Sequence, residues 1–80
     1  MSQWEKLLAR LYNVSSDMRF EELQKILARY GYAETQPHGG SSHHTFRKSG
    51  RMPITIPVHG KIKRIYIEMI RDAVEKEREQ

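Results

Sequence analysis

Apolar residues recur along this 80-residue chain with two different periods. Trp4, Leu7, Leu8 and Leu11 fall at i, i+3, i+4 and i+7, which puts them on one face of a helix. Ser2 stands three residues before Glu5, the spacing of a capping box, so a helix is predicted from about Gln3 to Tyr12. The polar run 13–17 breaks the pattern. A second stripe follows, Phe20, Leu23, Ile26, Leu27 and Tyr30, and Gly31 supplies the left-handed stop. Ser16, Asp17 and Arg19 all suit the start of this second helix. A third stripe, Ile62, Tyr66, Ile67, Met69, Ile70, Ala73 and Val74, dissolves into the charged run Glu75 to Gln80. Its last turn is expected to fray.

Between the second and third helices the period moves from 3.6 toward 2. Tyr32 to Gln36, His43 to Lys48 and Ile54 to Ile56 read as strands, separated by the turn signals Pro37-His38-Gly39-Gly40 and Ser49-Gly50-Arg51. Pro53 and Pro57 bracket the third strand, as suits strand ends or an edge, because proline has no N–H to give a ladder. The predicted order is α-α-β-β-β-α, an α+β fold with a three-stranded antiparallel sheet. So short a chain cannot cover both faces of a sheet, so the helices belong on one face and the other stays wet. One domain over 1–80 is expected, with residues 1–17 as an N-terminal extension helix and 18–78 as the core.

Composition narrows the function. With no cysteine, thiolate zinc sites, disulfide scaffolds and thiol nucleophiles are excluded. No apolar run has the length of a membrane span and the N-terminus has no signal-peptide pattern, so a cytoplasmic protein that does not engage membranes is expected. The net charge is +4, and its placement matters more than its size. From Thr35 to Ile67 there are six basic residues, Arg47, Lys48, Arg51, Lys61, Lys63 and Arg64, all four histidines and no acid. The rest of the chain holds eight basic and ten acidic residues. A basic, acid-free middle in a slightly acidic frame is the footprint of a polyanion-binding face, although a solvated basic surface has the same composition.

Alternation along the strands sorts these residues by face. With Phe46 pointing inward, His44 shares its side and reads as a core-edge histidine, while His43, Thr45 and Arg47 point to solvent. Ile54 and Ile56 face inward and Thr55 outward, and His59 falls on the face of Thr55 if the extended path continues past Pro57. Histidine, hydroxyl and guanidinium groups on a face free of acids suit phosphate binding with acid–base chemistry. An exposed strand histidine is also an ordinary surface residue. A metal site is disfavoured, because the adjacent His43 and His44 point apart, carboxylates are lacking nearby and no His-Glu-x-x-His occurs.

The run Ser42-His43-His44-Thr45-Phe46, followed by Ile54-Thr55-Ile56-Pro57-Val58-His59-Gly60-Lys61, resembles the HicA toxin family, small endoribonucleases of bacterial toxin-antitoxin pairs that cut mRNA. Ser42 and His43 match the family's Ser-His at the start of its second strand, and Phe46 the aromatic three residues after the histidine. Ile54 through Lys61 match its alternating strand that runs into Pro-x-His, Gly and Lys. Leu23, Leu27, Gly31 and Tyr32 fit its first helix and the Gly-aromatic that ends it. The resemblance covers about Phe20 to Val74. Ser41 stands where the family has glycine before Ser-His, and the N-terminal helix is absent from the shortest members.

The resemblance implies a fold like the double-stranded RNA-binding domain, His43 as the catalytic histidine, no required metal or other cofactor, mRNA as substrate and a HicB-type antitoxin as partner. On this reading neutral His43 removes the proton from a ribose 2′-OH, with His59 and Ser42 as candidate helpers. Arg47, Lys48, Lys61, Lys63 and Arg64 are the candidate RNA-binding cations. The rival readings are a non-catalytic RNA-binding module of the same fold and a protein-interaction partner whose basic face meets an acidic surface. Neither homo-oligomer nor monomer is indicated.

Overall fold

A computed structural model describes residues 2–35, 43–58 and 60–79. Its elements are α1 (Gln3–Tyr12), α2 (Phe20–Arg29), β1 (Ala33–Thr35), β2 (His43–Arg47), β3 (Ile54–Pro57) and α3 (Arg64–Arg78), in the expected α-α-β-β-β-α order. The capping box forms at α1: the Glu5 backbone N–H donates to Ser2 Oγ at 3.1 Å, and the Ser2 backbone N–H points back to the Glu5 carboxylate. Of the three candidate boundaries for α2, Arg19 is the cap, and its backbone N–H donates to Glu22 Oε1 at 2.8 Å. The Arg10 guanidinium donates to the other Glu22 oxygen and pairs with Asp17 Oδ1 at 3.0 Å, which stitches α1 to the start of α2. That pairing with Arg10 holds the Asp17 carboxyl below the usual aspartate range.

Gly31 ends α2 because the chain there adopts φ +91°, a conformation that side chains with a Cβ resist. The Tyr32 N–H then reaches Leu27 O at 3.0 Å and the Gly31 N–H reaches Ala28 O at 3.1 Å, the paired bonds of a Schellman motif. That reversal sends the chain straight into β1. The strands form a meander in the order β1-β2-β3, both pairs antiparallel, with Phe46 between Glu34 and Ile54 and His44 beside Ile56. β1 is shorter than the expected Tyr32 to Gln36, because Tyr32 is spent in the helix cap and Gln36 lies outside the described residues.

The core joins Leu23, Ile26 and Leu27 of α2, Phe46, Ile54 and Ile56 of the sheet, and Ile67, Ile70 and Val74 of α3. α1 adds Leu11 and lays Trp4, Leu7, Leu8 and Tyr12 against this cluster. α2 and α3 pack on the apolar sheet face, while α1 packs on α2 and α3. The opposite sheet face carries no helix among the described residues.

The last turn of α3 does not fray. Lys48 and Arg51 both grip the Glu77 carboxylate, Arg51 Nε at 2.5 Å, and Lys48 Nζ also donates to Tyr30 O at 2.7 Å. The helix therefore runs to Arg78, tied to the β2–β3 turn by partners too distant in sequence for local periodicity to reveal. Lys48 and then Arg51 hold the Glu77 carboxyl below its ordinary value near 4.5. Because the folded value is the lower one, this stabilisation is present above about pH 4.5 and is lost as pH falls through the folded value. Glu77→Gln is expected to lower the melting temperature by several degrees at pH 7. The melting curves of variant and parent should converge as the pH drops below about 4.5.

Candidate functional site

The antiparallel register divides the sheet's side chains cleanly. Glu34, His44, Phe46, Ile54 and Ile56 share the helix-covered side, and Thr35, His43, Thr45, Arg47 and Thr55 share the open one. The open face carries a row of hydroxyls across all three strands, with Thr35 opposite Thr45 and Thr45 opposite Thr55. Thr35 Oγ1 donates to Thr45 O at 3.2 Å, and the Thr45 and Thr55 hydroxyls lie 3.1 Å apart. The carbonyl of Thr45 thus points to β1, so Thr45 and Thr55 form the closer, non-hydrogen-bonded kind of pair in which side chains meet.

His43 begins β2 and is exposed, opposite Pro57 at the end of β3. From Pro57 the chain leads within a few residues to Lys61, Lys63 and Arg64, all exposed at the start of α3. His43 and this basic mouth therefore occupy the same end of the sheet. The first turn of α3 contains no acid, and among the described residues no side chain caps it. Cations at a helix N-terminus oppose the helix dipole, so the arrangement favours an added anion, and Lys61 already interacts with the Asp17 carboxylate. Arg64 has one weak companion, Glu68, at 3.8 Å.

The other candidates are placed differently. Arg47 lies on the open face four residues from His43, roughly 13 Å along the strand. Lys48 is committed to Glu77 and the Tyr30 carbonyl, with its ammonium 5.9 Å from the Tyr32 ring. Ser42 and His59, together with the turn Pro37 to Gly40, lie outside the described residues. Among the described residues, no group of three or more His, Asp or Glu side chains is placed to hold a metal ion. No helix among them is long and apolar enough to cross a membrane.

His44 behaves as the core-edge histidine that alternation predicts. Its Nδ1 lies 2.6 Å from Glu34 Oε2, its ring packs 4.7 Å from that of Phe20, and Gln24 Nε2 donates to the other Glu34 oxygen at 2.5 Å. Sequence alone does not reveal Glu34 as a partner, because it lies just outside the acid-free segment and only the β1–β2 register brings it beside His44. Removing the imidazole leaves a half-buried carboxylate short of a partner. His44→Ala is expected to cost about 1–3 kcal/mol in a denaturant melt while the folded variant keeps its activity. A folded His44→Ala protein without activity, beside an active His43→Ala protein, would mean that the two faces are assigned the wrong way round.

The family model described as HicA toxin of bacterial toxin-antitoxin matches residues 20–75 of the chain. Among curated proteins and among solved structures nothing matches. The matched span begins at α2 and reaches into the last turns of α3, so it contains the whole sheet and leaves out α1.

Proposed function

Because the chain belongs to the HicA toxin family of bacterial toxin-antitoxin systems, we propose that it is a metal-independent endoribonuclease acting on mRNA, with His43 as its general base. The observation that carries this reading is the position of His43, exposed on an acid-free sheet face at the same end as the uncapped, basic start of α3. Neutral His43 takes the proton from a ribose 2′-OH as that oxygen attacks the adjacent phosphorus in line. The 5′-oxygen of the next nucleotide leaves with a proton, giving a 2′,3′-cyclic phosphate and a 5′-hydroxyl. His59 is the candidate donor of that proton, with Ser42 beside His43 in sequence. Lys61, Lys63 and Arg64, with the open N–H groups of the first α3 turn, neutralise the phosphate charge at this end. Arg47, farther along β2, holds a flanking phosphate instead, and Lys48 serves the fold.

A single general base contributes typically ~10²–10⁴ in rate, so slow cleavage is expected. Reversing Lys61, Lys63 and Arg64 to Glu should weaken RNA binding across all sequences and flatten its salt dependence by about one unit of slope for each phosphate no longer neutralised. A HicB-type antitoxin is the partner that the family implies. Its carboxylates should meet the same cations and cover His43, so that RNA and antitoxin compete. The test is purified protein with a labelled mRNA in EDTA: the nuclease cuts it, whereas a binding module of the same fold shifts it intact. Intact RNA at micromolar protein would overturn the enzymatic reading.

A further inference from the structure

α1 lies outside the span shared with the family, yet together with α2 it builds a concave surface among the described residues. Between α1 and α2 runs a groove of about 550 Å³ on the helical side, away from the open sheet face. Half-buried Trp4 and Leu7 form its floor. Its walls are two rails of cations, Lys6 and Arg10 on α1 and Lys25 and Arg29 on α2, each pair four residues apart. Arg10 is bound to Glu22 and Asp17 and closes one end. Lys6 and Lys25 have no ion pair among the described residues, and Arg29 lies over the Trp4 ring at 4.7 Å.

An apolar floor between two basic rails, with charges one helical turn apart, complements a third helix that carries an apolar stripe flanked by acids at i and i+4. RNA fits it less well. Arg29 already lies over the indole at 4.7 Å, with Tyr30 tilted beside it at 6.0 Å, so a base stacking on that face has to displace the guanidinium. We propose that the α1–α2 groove is a docking site for an acidic amphipathic helix of a partner protein, separate from the open sheet face. Occupancy of the groove leaves His43 exposed, so such a partner binds without blocking the face that carries His43.

Trp4 is the chain's one tryptophan, so its emission reports on this groove directly. The probe is a synthetic helical peptide of about four turns, with leucines at i, i+3, i+4 and i+7 flanked by glutamates. The full chain should show a saturable blue shift of Trp4 at micromolar peptide, weakened by salt. Lys25→Glu with Arg29→Glu should weaken it about tenfold or more while circular dichroism stays unchanged. A peptide with lysines in place of the glutamates should bind that variant better than the parent, and Lys6→Glu alone should act in the same direction. No shift at millimolar peptide, an equal response to both peptides, or an equal shift from a single-stranded RNA at the same affinity would overturn the proposal.

Discussion

His43→Gln is expected to abolish the growth arrest caused by expressing the chain and to reduce RNA cleavage by about 10²–10⁴-fold. The protein itself should remain folded. His43 is exposed at the first position of β2 and lies outside the apolar cluster beneath the sheet, so its replacement leaves the packed core intact. Glutamine keeps a polar side chain of comparable length but cannot take up a proton at neutral pH. RNA affinity, which the proposed function assigns to Lys61, Lys63, Arg64 and Arg47, should change little. The measurement pairs a cleavage time course with a filter-binding titration. Loss of binding alongside activity would mean that His43 holds the RNA rather than acting as a base.

Phe46→Ala is expected to have the largest effect on the fold. Phe46 sits three residues along the same strand from His43 on the opposite face, only 2 % exposed, between Glu34 and Ile54 in the sheet and against Phe20 of α2. Truncating a buried phenylalanine removes about 3–5 kcal/mol. A domain of this length has roughly 4–12 kcal/mol in total, so the variant should melt near or below growth temperature. It too should be non-toxic, but for a different reason. His43→Gln yields an inactive protein with a cooperative melt, and Phe46→Ala an inactive protein without one. A Phe46→Ala protein as stable as its parent would show that the sheet does not pack on α2 through this residue.

The extent to which the sequence foretells this molecule differs from element to element, for physical reasons. α1 and the stop of α2 follow from local chemistry: the Ser2–Glu5 box and the Gly31 reversal involve residues only a few positions apart, so spacing alone reveals them. The two-sided sorting of β2 is also legible, because Phe46 fixes the inner face and every second residue follows it. The end of α3 is not. Its last turn is all charge, and what holds it is Glu77 pairing with Lys48 and Arg51, residues more than twenty positions away. The same pairing takes Lys48 out of the group of exposed cations, a commitment that composition cannot show. Glu34 lies just beyond the acid-free segment and reads as part of the frame, although the register sets it beside His44. The groove between α1 and α2 depends on how two helices pack, so neither helix pattern alone announces it.

That His43 activates a ribose 2′-hydroxyl is tested most directly by the chemistry of the cut ends. Parent and His43→Gln proteins, incubated with the same RNA in EDTA, would be compared through the termini of every fragment. The parent should leave a 2′,3′-cyclic phosphate and a 5′-hydroxyl, His43→Gln should give no cut above background, and the same sequence bearing 2′-O-methyl groups should stay whole. Fragments ending in a 3′-hydroxyl and a 5′-phosphate, or the same cuts from His43→Gln, would contradict this mechanism.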